Sequence, residues 1–556
     1  MKRVFNFLML TILVLGSVAF SCEADLEPET EPETPEQPED PNKPDDPQPE
    51  EPQPEEPTGP KPGLYKFVAS PLKGSWQPGD QIYVHGNLGT QTETITLAAA
   101  DISEDGTTAT GTLGAVTESP AEPDGLYAAW PAEAVKPYKG ILKAKTTFLE
   151  CERLLTMAYL EGDTFTFSDI SSSFSFTVSG DYNQYAIMQN NWNSLNYSKM
   201  EVEFSSTRVK HTPTGDAEPF RTGTLESGQP VHVWMPGRMS VSGLTIYVGK
   251  DGEWPMVCTL DEKLSLHAGQ NSDLGDITAL LQPNTEPVGP KARELMGERT
   301  RYKVKFNELS GLCMSADENF LWTVGDNGEI AQLDFEGKLI NRVVLRWGER
   351  NGSESKGTQG GYDTEGVTVN PLTGDLIVSM EQNYVGVISF EDQATLFQQD
   401  TAFNVINTIF RIPDAENYGN SGTEGITYYK DGKVYVGAQD GPAHLFLYDL
   451  DTKKELVNVR LGNKFPSMSE IAGLCYDPLT DWLWVIDSNT PQKMFALTGD
   501  ASKIVGVFVL EDTDNPESIC IDHKNGCIWA GDDAGSSSYV YKYPFTWPEE
   551  AYIKQE

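Results

Sequence analysis

The sequence predicts an all-β protein in which an N-terminal antiparallel β-sandwich is followed by a β-propeller. Two observations predict this: apolar and polar residues alternate with period two between Gly-, Asp-, Asn- and Pro-rich turns, and a strand-pair unit recurs in the C-terminal half. The chain is predicted to contain a lipoprotein signal peptide at 1–22, an acidic Pro-rich stalk at 23–63, the sandwich at 64–285, a linker at 286–300 and the propeller at 301–556.

The first 22 residues have the pattern of a secretory signal. Lys2 and Arg3 precede an apolar run that is too short to span a membrane, and small residues lead to Cys22. The stretch Val18 to Cys22 (VAFSC) resembles the lipobox of bacterial lipoproteins, which implies that Cys22 is lipidated and anchors the chain to a membrane. An ordinary signal peptide with cleavage elsewhere is the alternative.

The stalk that follows consists almost wholly of Glu, Asp, Pro, Gln and Thr, so it predicts an extended spacer without a core. An acidic residue just behind Cys22 resembles the surface-export signal of Bacteroidetes lipoproteins. The resemblance implies a location at the outer membrane, on the cell surface of a Gram-negative bacterium. The formal net charge of −42, part of which belongs to the stalk, argues against nucleic acid and anionic lipid headgroups as partners, because both would be repelled.

The region 64–285 contains short alternating segments such as Gln81 to His85 (QIYVH) and Leu244 to Val248 (LTIYV), which predict half-buried antiparallel strands. The segments WQPGDQIYV (76–84) and DGLYAAWPA (124–132) resemble the start of a fimbrillin or Mfa-like surface domain. This resemblance implies a surface sandwich. The stalk has no arginine for the cleavage that frees fimbrial subunits, so strand-exchange polymerisation is not carried over.

The region 301–556 repeats a strand that is followed, after a turn, by a second apolar strand ending in acid. The first-strand copies are NELSGLCMS (307–315), DTEGVTVN (363–370), GTEGITYY (422–429), SEIAGLCYD (469–477) and PESICID (516–522). Stacked blades bury faces that a lone sheet would expose, so five copies predict a five-bladed ring. The strand 302–306 is predicted to complete the blade that contains 539–543. A sixth, degenerate blade within 346–362 is the alternative count.

The pattern LSGL, EGV, EGI, IAGL and ESI, each answered by a strand ending in acid, resembles the SdiA-regulated propeller family across nearly the whole second domain. That resemblance implies the propeller architecture and a candidate cation site, and it implies no particular reaction.

The repeats place acidic residues at one mouth of the predicted ring. The glutamates lie at the start of the first strands: Glu308, Glu365, Glu424, Glu470 and Glu517. The second strands return to the same face and end in Asp326, Glu381, Asp440, Asp487 and Asp532. Like charges repel, so we expect these ten residues to bind a ligand, with the five glutamates as ligands of Ca²⁺, which suits carboxylate cages. The alternative is that the glutamates accept backbone hydrogen bonds between blades without a metal.

No catalytic signature singles out an active centre, so whether the protein is an enzyme stays open. The six histidines lack metal-ligand spacing, and no GxSxG elbow, phosphate loop or dinucleotide fingerprint is present, so no organic cofactor is indicated. The polar insertion Trp347 to Asp363 is either a lid over the mouth or a surface decoration. Cys520 and Cys527 either pair across a hairpin or stay free.

Two functions fit these observations best. The first is a surface binding module whose acidic mouth, loaded with Ca²⁺ or not, recognises a glycan, a peptide or a neighbouring surface protein. The second is a propeller hydrolase or lyase that acts on a phosphorylated or glycan ligand through the same cation. A fimbrial accessory or tip subunit is a third. The sequence does not identify the ligand.

Overall fold

The computed structural model describes most of the chain beyond the stalk. The described residues are 63–86, 92–114, 126–136, 146–150, 152–205, 208–214, 218–326, 328–347, 364–381, 383–398, 403–412, 422–439, 441–534 and 538–554. The predicted signal peptide, Cys22 and positions 23–62 of the predicted stalk lie outside these residues, as do Asp440 and positions 348–363 of the polar insertion, whereas position 63 already belongs to the first strand. In the described ranges, no helix combines the length and apolar character needed to cross a membrane.

The N-terminal half is built from short strands whose side chains alternate between core and solvent. In the first strand, for example, Tyr65 and Phe67 are buried while Leu64 and Lys66 are exposed. The strands are β1 (Gly63–Val68), β2 (Gln81–Gly86), β3 (Thr92–Thr96), β4 (Thr108–Leu113), β5 (Leu126–Trp130), β6 (Val135–Lys136), β7 (Thr146–Glu150), β8 (Thr156–Glu161), β9 (Thr164–Thr166), β10 (Ser168–Asp169), β11 (Ser171–Thr177), β12 (Gln184–Gln189), β13 (Lys199–Ser205), β14 (Arg208–Thr214), β15 (Arg221–Thr224), β16 (Pro230–Pro236), β17 (Arg238–Val241), β18 (Leu244–Lys250), β19 (Glu253–Leu260), β20 (Leu264–His267), β21 (Asn271–Asp276) and β22 (Gln282–Pro283).

These strands enclose three separate buried clusters. The first lies inside a nearly closed sheet of order β3-β2-β5-β8-β9-β1-β4, with β10 beside β8, and contains Phe67, Trp76 and Phe165. The second lies among the sheets β16-β11-β21, β15-β12-β18-β19-β22 and β17-β20, and contains Phe174 and Ile246. A fifth sheet, β14-β13-β7-β6, contributes to the third cluster, which contains Met157 and Met200. The prediction of one sandwich over 64–285 did not anticipate this division.

The C-terminal half forms four-stranded antiparallel blades. Its strands are β23 (Thr300–Val304), β24 (Leu309–Met314), β25 (Leu321–Gly325), β26 (Glu329–Leu333), β27 (Leu339–Trp347), β28 (Thr364–Val369), β29 (Leu376–Met380), β30 (Tyr384–Ile388), β31 (Phe403–Arg411), β32 (Thr423–Tyr428), β33 (Lys433–Ala438), β34 (His444–Asp449), β35 (Glu455–Arg460), β36 (Gly473–Asp477), β37 (Trp482–Asp487), β38 (Lys493–Thr498), β39 (Ile504–Val509), β40 (Pro516–Asp522), β41 (Cys527–Asp532) and β42 (Ser538–Pro544). Blades 1 to 5 begin at β24, β28, β32, β36 and β40.

The blades close into a five-membered ring, which confirms the predicted propeller. Each inner strand contacts the inner strand of the next blade, and β40 returns to β24. Blade 5 is completed by β23, which pairs antiparallel with β42 through Tyr302 opposite Val540. The sequence predicted this closure. Five inner strands complete the circle in the described part of the chain, so the alternative count of six is not needed.

Helices are few and short within the described residues. They are α1 (Ala292–Leu295), α2 (Phe390–Gln393) and α3 (Leu461–Lys464), with 3₁₀ turns at Ala99–Asp101, Ala132–Ala134, Thr278–Leu280, Gly289–Lys291 and Glu549–Ala551. The outer strands of blades 1 and 2 pair with each other in parallel, β27 beside β31, so these two blades share one eight-stranded sheet.

A continuous buried cluster joins the N-terminal half to blades 3 and 4. Phe220 and Tyr247 belong to the same cluster as Phe495 and Val507. The hydroxyl of Tyr247 donates a 2.6 Å hydrogen bond to Glu286 in the linker, and Lys503 of blade 4 pairs with the same carboxylate at 3.0 Å. The linker is therefore packed between the two halves.

The inner strands approach one another closely at a glycine in blades 1 to 4. A Cβ built at Gly473 would lie 2.5 Å from the carbonyl oxygen of Glu517 in the next blade. A Cβ at Gly366 would likewise lie 2.5 Å from the carbonyl oxygen of Glu424. Because the obstructing atoms are backbone atoms, only glycine fits at positions 366 and 473.

We expect Gly473→Ala to destabilise the protein by about 1–3 kcal/mol, because the added methyl group overpacks against the neighbouring backbone. Gly114→Ala is the matched control, since a Cβ there meets nothing within 4 Å. Urea unfolding of both variants, followed by tryptophan fluorescence, measures the change. Equal midpoints for the two variants would contradict the close packing of the inner strands.

Candidate functional site

The glutamates predicted at the mouth occupy two different positions relative to the inner strands. Glu365 and Glu517 are the extra residues of β-bulges, since Thr364 and Gly366 pair with consecutive residues of β29, and Pro516 and Ser518 do the same with β41. Glu424 lies in the corresponding irregularity of β32. These three glutamates, the bulge glutamates, therefore share one level of the ring.

Glu308 and Glu470 lie two residues before that level. The bulge of blade 1 contains Ser310, and in blade 4 the residue before Gly473 is Ala472. Glu308 has a left-handed backbone with φ of 51° and is partly exposed, whereas the carboxylate of Glu470 accepts a hydrogen bond from the Ser488 hydroxyl. The alignment of five equivalent glutamates was thus out of register in blades 1 and 4.

Glu365 is the electrostatic centre of the mouth. It is 6% exposed, and burial raises its pKa well above the usual value, with the charges of Glu424, Asp326, Glu517 and Glu381 raising it further. The structure therefore brings acids of blades 1, 2, 3 and 5 within electrostatic range of one another. Such a cluster favours either protonation or a bound positive charge.

Asp487 and Asp532 serve a different purpose from the bulge glutamates. Asp487 accepts hydrogen bonds from the backbone and hydroxyl of Ser469, both at 2.8 Å. Asp532 accepts hydrogen bonds from the backbone of Asn515 at 2.5 Å and from the hydroxyl of Tyr541 at 2.9 Å. Both carboxylates hold the loops that lead into inner strands. The sequence analysis considered such a structural role for the glutamates, not for these aspartates.

The position of Asp532 in blade 5 has an equivalent in the second strands of blades 1 and 2, β25 and β29. Asp326 and Glu381 each lie one residue after that equivalent position, at the ends of these strands. Asp326 accepts a 2.7 Å hydrogen bond from Ser310 Oγ, so serine and aspartate in blade 1 face each other across the bulge. Asp440 lies outside the described residues.

A ring of thiols and hydroxyls lies two residues beyond the glycine level, and the sequence prediction missed it. Its members are Cys313, Thr368, Thr427, Cys475 and Cys520, which are equivalent by strand register. Thr427 Oγ1 accepts a 2.8 Å hydrogen bond from the backbone of Tyr476 in the next blade. Burial raises the pKa of all three thiols, so they stay protonated and unreactive at neutral pH. All five residues of this ring lie two positions after the small residue of the repeat. This constant spacing was the signal in the sequence that could have identified the ring.

Cys520 and Cys527 are free. Although both lie in one hairpin, Cys520 is opposite Trp529 and Cys527 is opposite Asp522, so the register separates the thiols. The alternative of a disulfide across this hairpin was wrong.

The axis of the ring is narrow where the glycines meet. The free volume beside Glu365, Gly425, Gly473 and Glu517 is about 10 Å³, about the volume needed for one water molecule. A ligand therefore cannot pass along the axis at this level. Among the described residues, no three His, Cys, Asp or Glu side chains converge closely enough to hold a metal ion as they stand.

Residues 304–463, which span blades 1 to 3, match the Phytase-like family, described as esterase-like activity of phytase. No curated protein matches the chain. Similar solved structures include a Kuenenia stuttgartiensis hydrazine synthase (13% identity, TM-score 0.27, 42% of this chain and 58% of that chain), a Myxococcus xanthus glutaminyl cyclase (13%, 0.30, 44% and 95%) and the RRP9 WD40 repeats (10%, 0.28, 44% and 97%).

We expect Glu365→Gln to be more stable than the wild-type chain at pH 8 in the absence of divalent cations. The pKa of Glu365 is raised in the folded state. The neutral carboxyl therefore contributes its full stabilisation below the ordinary glutamate pKa of 4.5, and this stabilisation is lost as pH rises through the folded-state pKa. Glutamine stays neutral, so the variant should lack this loss. Thermal melts from pH 4 to pH 8, with Glu391→Gln on exposed α2 as the control, measure the difference; parallel pH profiles for all three proteins would refute the electrostatic cluster.

Proposed function

We propose that this protein is a cell-surface lipoprotein whose propeller mouth binds a divalent cation and, through it, an external ligand. The observation that supports this function is the gathering of Glu365, Glu424 and Glu517 with Asp326 and Glu381. Mutual repulsion among buried carboxylates is relieved when positive charge binds between them.

Calcium fits the available donors better than magnesium does. The mouth offers carboxylates from several strands at unequal depths, and Ca²⁺ tolerates irregular oxygen cages that include water, whereas Mg²⁺ requires near-ideal octahedral geometry. Because no three acidic side chains among those described form a ready metal cage, the bulge glutamates would hold the ion together with backbone carbonyls or water. Glu308 and Glu470, which lie off the bulge level, would contribute from the rim.

The ligand proposed for this module is a glycan, a peptide or a neighbouring surface protein. Anchoring through Cys22 and the acidic stalk would display the propeller away from the membrane. The narrow axis supports recognition at the mouth, because a ligand cannot enter deeper into the ring.

A second candidate function is hydrolysis of phosphate esters at the same mouth. The match of residues 304–463 to the Phytase-like family favours it, since these residues supply Asp326, Glu365, Glu381 and Glu424. A bound cation would neutralise phosphate oxygens, and a carboxylate beside it would act as a general base toward water.

Calcium titration tests the cation site. Isothermal titration of the wild-type chain should show saturable Ca²⁺ binding, and Glu365→Gln combined with Glu424→Gln should weaken it at least about tenfold, because each carboxylate contributes charge and an oxygen donor. Glu391→Gln, on the exposed surface, should bind as the wild type does. Equal affinity for the double variant and the wild type would place any Ca²⁺ site elsewhere.

Phosphatase assays separate the two candidate functions. If the mouth hydrolyses phosphate esters, release of phosphate from myo-inositol hexakisphosphate should require Ca²⁺ and fall at least about a hundredfold in Glu365→Gln, as expected for loss of a catalytic charge. Saturable Ca²⁺ binding without phosphate release supports the binding module. Release that survives the substitution would assign hydrolysis to other residues.

A further inference from the structure

A second cleft lies on the outside of the propeller, away from the mouth. It is bordered by α1 and residues 296–299 of the chain that leads into blade 5, by β39 of blade 4 with the turn after it, and by β42. Its volume is about 620 Å³, within the roughly 300–1,000 Å³ typical of small-molecule sites. None of its lining residues belongs to the acidic mouth.

The floor of this cleft is apolar and partly aromatic. Phe508 and Val507 of β39 are buried there, and Met296 forms a wall. Tyr543 is 3% exposed and lies beside the guanidinium of Arg299. Burial raises the pKa of Tyr543 to about 12, partly offset by Arg299, so the phenol stays neutral. The floor therefore suits an apolar group.

The cations at the rim are already paired. Arg293 makes a 2.9 Å ion pair with Glu218. Arg299 donates to the backbone carbonyl of Glu511 at 2.6 Å and forms a 3.3 Å ion pair with Asp512. Their charges are thus balanced by two neighbouring carboxylates.

Two further carboxylates at the rim are not balanced in this way. Glu298 and Glu511 line the cleft with exposed side chains and make no ion pair within the described part of the chain. Two guanidinium groups against four carboxylates leave two negative charges over an apolar floor. An anionic ligand would be repelled, and a bare metal ion would leave the apolar floor unfilled.

We propose that this cleft binds an organic cation with an apolar stem, such as an alkyl ammonium or guanidinium compound. The charged head lies between Glu298 and Glu511, and the stem packs on Phe508 and Met296. Aromatic faces attract cations, and carboxylates form charge-assisted hydrogen bonds with ammonium and guanidinium groups. A small free amine and the basic side chain of a peptide share this chemistry.

Isothermal titration of the full chain in calcium-free buffer tests the proposal with 1,6-diaminohexane, agmatine and N-acetylarginine amide. We expect the diamine to bind at least about tenfold more tightly than 1,6-hexanediol, which has the same stem without charge. Tighter binding of agmatine than of the arginine amide identifies a free amine as the source, and the reverse order identifies a peptide side chain. The proposal is overturned if none of the three cations binds at a concentration of about 10 mM. It is also overturned if the diol binds as tightly as the diamine.

Matched variants locate the bound cation. Glu298→Gln combined with Glu511→Gln should weaken diamine binding at least about tenfold, without loss of fold because both side chains are exposed. Glu365→Gln at the mouth and Glu391→Gln on α2 should leave diamine affinity unchanged. Weakening by Glu365→Gln, or wild-type affinity of the cleft double variant, would show that the cation binds elsewhere.

Discussion

The close approach of the inner strands at the glycine level is the constraint on which the propeller depends. Glycine allows the backbone of one blade to touch the backbone of the next, as Gly473 does with Glu517 and Gly366 with Glu424. The same contacts make the axis narrow, so a ligand at the mouth cannot pass along the axis. They also fix where the bulges lie, since each bulge directly precedes this level in blades 2, 3 and 5.

The bulges place the same type of acidic side chain at equivalent positions of three blades. In each of these blades the extra residue is a glutamate, and the fold gathers three of them although their charges repel. The aspartates of the second strands differ, because Asp487 and Asp532 are saturated by hydrogen bonds from loop backbones and hydroxyls. One group of acids is thus used to build the ring, while the other brings acidic side chains of several blades together at the mouth.

The N-terminal half does more than precede the propeller. Its buried contact with blades 3 and 4, through Phe220 and Tyr247, fixes the linker against the outer strand β39. That arrangement creates the outer cleft, because α1 and Arg299 face blades 4 and 5 across it. The two candidate sites therefore arise from two different junctions, one between inner strands and one between halves of the chain.

The sequence by itself determined the repeat, the closing strand and the acidic residues of the repeated strands, because period-two patterning and recurring glycines are local signals. It left five and six blades open, and the contact of β40 with β24 decided for five. Only the tertiary structure decided which glutamates share a level. A bulge shifts register by one residue without changing the local pattern, so Glu308 and Glu470 aligned by eye with residues that they do not match in space. The ring of Cys313, Cys475 and Cys520, the saturation of Asp532 and the outer cleft likewise depend on contacts between distant segments, which no local pattern specifies.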